Sequence, residues 1–195
     1  MISTVLLDLD GVIGHFDPDD VTDVERRHQL APGTLMAAAF EPKLLERVIT
    51  GQIPRTEWGA EVGRRVGSAA AASEWLAQPG TIDETMLDEV RSLRASGLVV
   101  AVLTNGTDTI PQEMERFGIA GCFDAIFNSA EIGYAKPDRR AFAFVCNALE
   151  VDPSAVLFTD DSPSKLAGAR ALGMTAHVFE GIESFRAQLK DAGCR

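Results

Sequence analysis

Apolar residues along this chain come in short, nearly unbroken runs that stop at polar residues. Ile2 to Leu7 runs into Asp8, Leu98 to Leu103 into Thr104, and Ala155 to Phe158 into Thr159 and Asp160. Ala125 to Phe127 and Met174 to Phe179 are two further runs. A strand with one wet face alternates apolar and polar residues. An unbroken run of strand length suits a strand covered on both faces, as in a parallel sheet. The intervening stretches carry helix signals. Thr81-x-x-Glu84 has the form of a capping box, and Gly97 would close the helix that follows. Phe142, Val145, Cys146 and Leu149 fall on one helical face of 138–149. Ser162-Pro163 offers an N-cap and then proline at the first helical position, with Gly173 as terminator. Strands alternating with helices after residue 81 predict an α/β fold, a parallel sheet with helices on both faces.

Residues 14–80 break this rhythm. They hold no comparable strand run, are rich in Ala, Glu and Arg, and are punctuated by Pro18, Pro32, Pro42, Pro54 and Pro79. Several short helices are expected there, inserted between the first strand and the rest of the sheet. The string Ala69 to Ala72 reads as helix, not linker. The predicted organisation is an α/β core of residues 1–13 and 81–195, with a small helical domain over 14–80. A chain of 195 residues is long enough for both.

Composition narrows the partners. The net charge is −11, which argues against nucleic acid, since phosphate backbones are held by clustered Lys and Arg. Only four basic residues are lysines: Lys43, Lys136, Lys165 and Lys190. Cys122, Cys146 and Cys194 are odd in number and widely spaced, unlike a disulfide framework or a zinc site. No apolar run is long enough to span a bilayer, and the first residues lack the pattern of a secretion signal. A cytoplasmic protein with no membrane partner is expected. Oligomeric state is not legible.

The candidate chemistry sits where the runs end. Ligands of open α/β sheets bind at the carboxyl ends of strands. Three such ends carry Asp8-Leu9-Asp10-Gly11, Thr104-Asn105-Gly106 and Asp160-Asp161, and Lys136-Pro137 stands before the helix that leads to the last. Clustered carboxylates repel one another unless a cation neutralises them, and hard oxygen ligands suit Mg²⁺. A hydroxyl, an amide and a lysine beside them suit an anion. Cation and anion at one site point to phosphoryl transfer.

In order, spacing and strand context, these four motifs resemble those of the haloacid dehalogenase superfamily, over residues 1–13 and about 81–195. The resemblance implies a Rossmann-like core, a helical cap at 14–80, and a Mg²⁺-dependent phosphatase acting on a small phosphorylated metabolite. The short cap and the string Gly51-Gln-Ile-Pro-Arg-Thr-Glu-Trp58 are similar to sugar-phosphate phosphatases of the family. By position, Asp8 is the expected nucleophile that becomes an aspartyl phosphate, and Asp10 the acid–base group. Thr104, the amide of Asn105 and Lys136 would hold phosphoryl oxygens. The metal would lie between Asp8, the main-chain carbonyl of Asp10, and Asp160 or Asp161.

Each motif alone has a plainer reading. Asp8 or Asp160-Asp161-Ser162 is a capping signal, Thr104-Asn105-Gly106 a turn, and Lys136-Pro137 a surface lysine before a helix. A calcium loop starting at Asp8 fails because its twelfth position, residue 19, is Asp and not Glu. His15 is read as an exposed loop residue and Trp58 and Trp75 as packing. Arg55, Arg64 and Arg65 are either a solvated helix face or a grip on a substrate's second anion. Dehalogenation would need no acid at Asp10. Phosphonate hydrolysis would need a cap lysine, and Lys43 has no special context. A phosphomutase shares every core motif, and a non-catalytic regulatory or binding module is the reading outside enzymology.

Overall fold

The computed structural model describes residues 1–194. Five strands form one parallel sheet in the order β5-β4-β1-β6-β7: β1 (Thr4–Leu7), β4 (Val99–Thr104), β5 (Ala125–Asn128), β6 (Val156–Asp160) and β7 (Thr175–Val178). They coincide with the five apolar runs. Side chains alternate between two apolar cores, as a pleated strand requires. Val5, Leu7, Val100, Val102 and Leu157 face α6 (Glu84–Ala95), α7 (Ile110–Arg116) and α11 (Ile182–Asp191). Leu6, Ala101, Leu103, Val156 and Phe158 face α9 (Arg139–Ala148) and α10 (Ala167–Leu172). Burial on both sides is the reason these runs are unbroken.

Two helix starts differ from the sequence reading. Asp83, not Thr81, caps α6, accepting from the amides of Thr85 and Met86. Thr81 is drawn instead into β3 (Thr81–Ile82), which pairs antiparallel with β2 (Gly14–His15). Ser162 makes no side-chain cap. Its hydroxyl meets that of Ser164 at 2.9 Å, a 3₁₀ turn covers Pro163–Lys165, and α10 begins only at Ala167.

Between β2 and β3 lie α1 (Pro18–Arg27), α2 (Thr34–Ala39), α3 (Pro42–Ile49), α4 (Arg55–Val66) and α5 (Ala69–Leu76). Their apolar faces close on a third core of their own, with Val24, Leu35, Leu44, Val48, Trp58 and Val62. Buried Glu25 ties α1 to α2 by accepting from the amides of Gly33 and Leu35, each at 2.7 Å. Local caps explain why these short helices persist: Asp17, Glu41 and Ser68 each accept from amides of the first turn that follows. The two-stranded β2–β3 ribbon is where the chain leaves the sheet and returns. The helical unit also touches the core through the Arg55 amide, which donates to Asp108 Oδ1 at 2.7 Å. No helix among the described residues is long and apolar enough to cross a membrane.

Candidate active site

β1 ends at Leu7, and the chain reverses at once. The amides of Ile13 and Gly14 both donate to the Leu9 carbonyl, and that of Gly11 donates to the Gly14 carbonyl at 2.7 Å. Gly11 has φ +80°, and a Cβ there would stand 2.2 Å from Asp161 Oδ2. The glycine therefore serves twice: it turns the chain, and it lets the β6 end approach the β1 end.

This reversal sends the two aspartates into different surroundings. Asp8 is buried and faces inward. Its Oδ1 accepts from its neighbour's amide, Leu9 N, at 2.7 Å and lies 2.7 Å from Lys136 Nζ. Lys136 Nζ also donates to Asp160 Oδ2 at 2.7 Å, and Asp160 Oδ1 accepts from the Ser162 amide at 2.9 Å. Lys136 is itself buried, 2% exposed, so it is no surface lysine. Two devices seat it. Asn105 clamps its backbone, Oδ1 accepting from Lys136 N and Nδ2 donating to Lys136 O, both at 2.8 Å. The absence of a side chain at Gly168 lets α10 press on the adjoining loop, since a Cβ there would meet the Pro137 carbonyl at 2.1 Å. The ammonium also lies 5.5 Å from the centre of the Phe158 ring.

Asp8, Asp160 and Asp161 bring one carboxylate oxygen each within 4.8 Å of one another. Burial pushes the Asp8 carboxyl well above its usual range, against the pull of Lys136 and with the push of Asp160. Burial and then Asp160 likewise raise Asp161. Three carboxylates against one ammonium leave an excess of two negative charges, which one divalent cation cancels. The donors are all hard oxygens. The residues present thus fit a Mg²⁺-type ion.

Asp10 lies outside that cluster. Its side chain opens into a cavity of about 580 Å³ between the helical unit and the core, bordered also by Asn105, Gly106 and Glu113. Desolvation there, with the negative charge of Glu113, pushes its pKa up to about 6. Thr104, at the end of β4, is 1% exposed. The side chain of Asn105 is committed to Lys136, so only its main-chain amide is left for an anion.

Two contributors are not marked by any motif in the sequence. Asn128, at the carboxyl end of β5, donates to the Thr107 carbonyl at 2.7 Å and holds the loop after β4. The run read as Ala125 to Phe127 stopped one residue short of it. Glu113 was missed too, since its effect on Asp10 comes from packing of α7 and not from any motif.

The family of haloacid dehalogenase-like hydrolases matches over residues 2–173. This chain belongs to it. A phosphatase of Mycobacterium tuberculosis is 28% identical, the match covering 92% of this chain and 88% of that one. Bifunctional epoxide hydrolase 2 of Rattus norvegicus is 25% identical over 94% of this chain, which spans only 37% of the rat protein's length. Among solved structures, a haloacid dehalogenase family enzyme of Bacteroides thetaiotaomicron, in complex with magnesium and inorganic phosphate, superposes with a TM-score of 0.76. The two are 21% identical, and the match covers 91% of this chain and 94% of that one.

The raised carboxyls of this hydrolase make its stability depend on pH. Asp8 and Asp10 hold protons more tightly folded than at the ordinary 3.8. Their contribution to stability is therefore complete below 3.8 and is lost as pH rises through about 6 for Asp10 and about 7 for Asp8. Surface carboxylates held low by arginine act in the opposite sense. Glu61, bonded to Arg64 and Arg65, is held at about 2, and such groups lose their contribution only on acidification below the ordinary 4.5. In strong chelator, the urea midpoint should fall as pH rises from about 5 to 8. A divalent cation on Asp8 should flatten that fall. A midpoint that rises steadily across this window in chelator would show that these carboxyls are not protonated in the folded protein.

Proposed function

We propose that this hydrolase is a magnesium-dependent phosphatase that cleaves a small phosphomonoester through an aspartyl phosphate on Asp8. The observation that carries the reading is the division of labour between Asp8 and Asp10. Two carboxylates two residues apart sit in separate environments, one on the Lys136–Asp160 pair and one facing the cavity. Chemistry with one nucleophile and one proton carrier needs that separation.

Lys136 and the Leu9 amide occupy Asp8 Oδ1, which leaves Oδ2 to attack phosphorus. As the O–P bond forms, the bond from phosphorus to the ester oxygen breaks. Asp10 gives its proton to that leaving oxygen, a role matched to a pKa of about 6. Asp10, now ionised, takes a proton from water, which attacks the phosphorus of the aspartyl phosphate. Inorganic phosphate leaves, and Asp8 and Asp10 return to their first states. Lys136 and the Asn105 amide balance charge on the phosphoryl oxygens, with the Thr104 hydroxyl beside them. Asp8, Asp160, Asp161 and the Asp10 carbonyl are the groups that would hold Mg²⁺. Bound there, the ion stabilises charge on the phosphoryl group and keeps Asp8 ionised. The magnesium and phosphate bound by the Bacteroides enzyme support this reading. Asp10 speaks against dehalogenation, which forms its ester at carbon and needs no such acid.

Chelation tests the proposal. Phosphate release from p-nitrophenyl phosphate should vanish in excess chelator and return with Mg²⁺. Ca²⁺ should restore it poorly, because its looser coordination misplaces the in-line geometry. Full turnover in strong chelator would remove the metal from the mechanism.

A further inference from the structure

The cavity beside Asp10 lies between the helical unit and the core. Its walls are mainly carbon. Phe16, Met36 and Phe40 border it while 59%, 39% and 48% exposed, although large apolar side chains are normally covered. Leu45, Ile49, Trp75 and Ile110 continue the same surface. Trp58 lies against Trp75, ring centres 5.4 Å apart, and its indole N–H is already given to the Ala39 carbonyl at 3.1 Å. The Trp58 ring therefore presents carbon to the cavity.

Part of the polar rim is already bonded within the protein. Asn105 is clamped to Lys136, and the Thr107 hydroxyl pairs with that of Thr109 at 2.9 Å. Its charge is lopsided as well. Asp10, Asp17, Asp20 and Glu113 are carboxylates, and Arg55 is the one cation among the described lining residues. The Arg55 guanidinium donates to the Leu76 carbonyl at 2.8 Å. Arg64 and Arg65 bond to Glu61 and do not border the cavity. A second anion would meet four carboxylates and a single guanidinium, so repulsion outweighs attraction. Hydroxyls of a sugar would lose water against the carbon walls and would find partners mainly among the rim carboxylates, Gln78 and the Trp75 indole.

We infer that the substrate is a phosphomonoester with a single anionic group on a largely apolar alcohol, not a bisphosphate. This rests on the phosphatase reading above, and it sets aside the mutase, which must seat a bisphosphate. At about 580 Å³, the cavity falls in the usual range of small-molecule sites and holds a ring or a medium alkyl chain beside the catalytic pair.

Matched pairs of esters test it with the magnesium-loaded enzyme. Cyclohexylmethyl phosphate and glucose 6-phosphate share a six-membered ring on a primary ester oxygen and differ in hydroxyls and a ring oxygen. Hexyl phosphate and hexane-1,6-diyl bisphosphate differ in a second phosphate. The first of each pair should have the larger kcat/KM by at least ~10-fold, mostly through KM. Asp20→Lys should narrow the gap in the second pair, because it replaces a repelling charge with an attracting one. Equal or better turnover of glucose 6-phosphate or the bisphosphate overturns the inference and leaves the phosphatase reading intact. No phosphate release from any ester, nor from acetyl phosphate, overturns the phosphatase reading itself and this inference with it.

Discussion

An Asp8→Asn protein should turn over p-nitrophenyl phosphate at least ~10⁴-fold more slowly, as expected when a nucleophile is removed from a unit of cooperating residues. Asn keeps the shape of the side chain but offers no charged oxygen to phosphorus. The comparison with Asp10→Asn gives the result its meaning. That variant keeps the nucleophile and loses the proton carrier. p-Nitrophenolate leaves almost without protonation, so Asp8 can still be phosphorylated. Hydrolysis of the aspartyl phosphate still needs a base to activate water, help typically worth ~10²–10⁴-fold. Breakdown should therefore slow more than formation. Acid-quenched during turnover, Asp10→Asn should carry one added phosphoryl mass on the peptide holding Asp8, and Asp8→Asn should carry none. Label on another residue, or near-normal turnover by Asp8→Asn, would break the proposed mechanism.

Lys136→Met should be the most damaging change to stability around the site. Met fills much the same volume as the lysine stem, so lost packing is small. What disappears is the only cation within reach of Asp8 Oδ1 and Asp160 Oδ2 among the described residues. Breaking a buried pair by removing one partner costs ~3–5 kcal/mol, since the other charge stays buried and unpaired. The cost has a signature that a packing defect lacks. It should shrink when Mg²⁺ is added. It should also shrink on acidification toward about pH 5, because a carboxyl whose pKa is raised regains its proton there. Urea denaturation at two pH values, with and without Mg²⁺, reads all of this. A loss insensitive to both would mean that Lys136 acts through packing alone.

The sheet was legible because each strand is buried twice over, and that writes an unbroken apolar run ending in a polar residue. Leu98 to Leu103 followed by Thr104 is the clearest case. Helix starts were less legible, since several residues near a boundary can cap. Thr81 and Asp83 both qualify. The pairing of Thr81 with His15, 66 residues away, takes Thr81 out of contention. Ser162 qualifies as well, but the Asp160 carboxylate captures its amide and bends the following residues into a tighter turn.

The same division holds for the candidate site. The types and order of its groups, Asp8, Asp10, Thr104, Asn105, Lys136, Asp160 and Asp161, stand in the sequence because each belongs to a strand end or the loop beside it. What each side chain does there depends on partners far along the chain. Asn105 became a clamp because Lys136, 31 residues away, offers its backbone. The Arg55 guanidinium is oriented by the Leu76 carbonyl, 21 residues away. Nothing in the local sequence marks Phe16, Met36 and Phe40 as cavity residues. Only the packing of the helical insertion against the sheet leaves them facing the cavity and not a core. Hydrophobic pattern and residue chemistry are local properties, so the chain by itself determined the sheet and the reactive groups at its edge. Which polar groups are already satisfied, and which apolar faces stay uncovered, depends on residues distant in sequence, and that was decided by the tertiary structure.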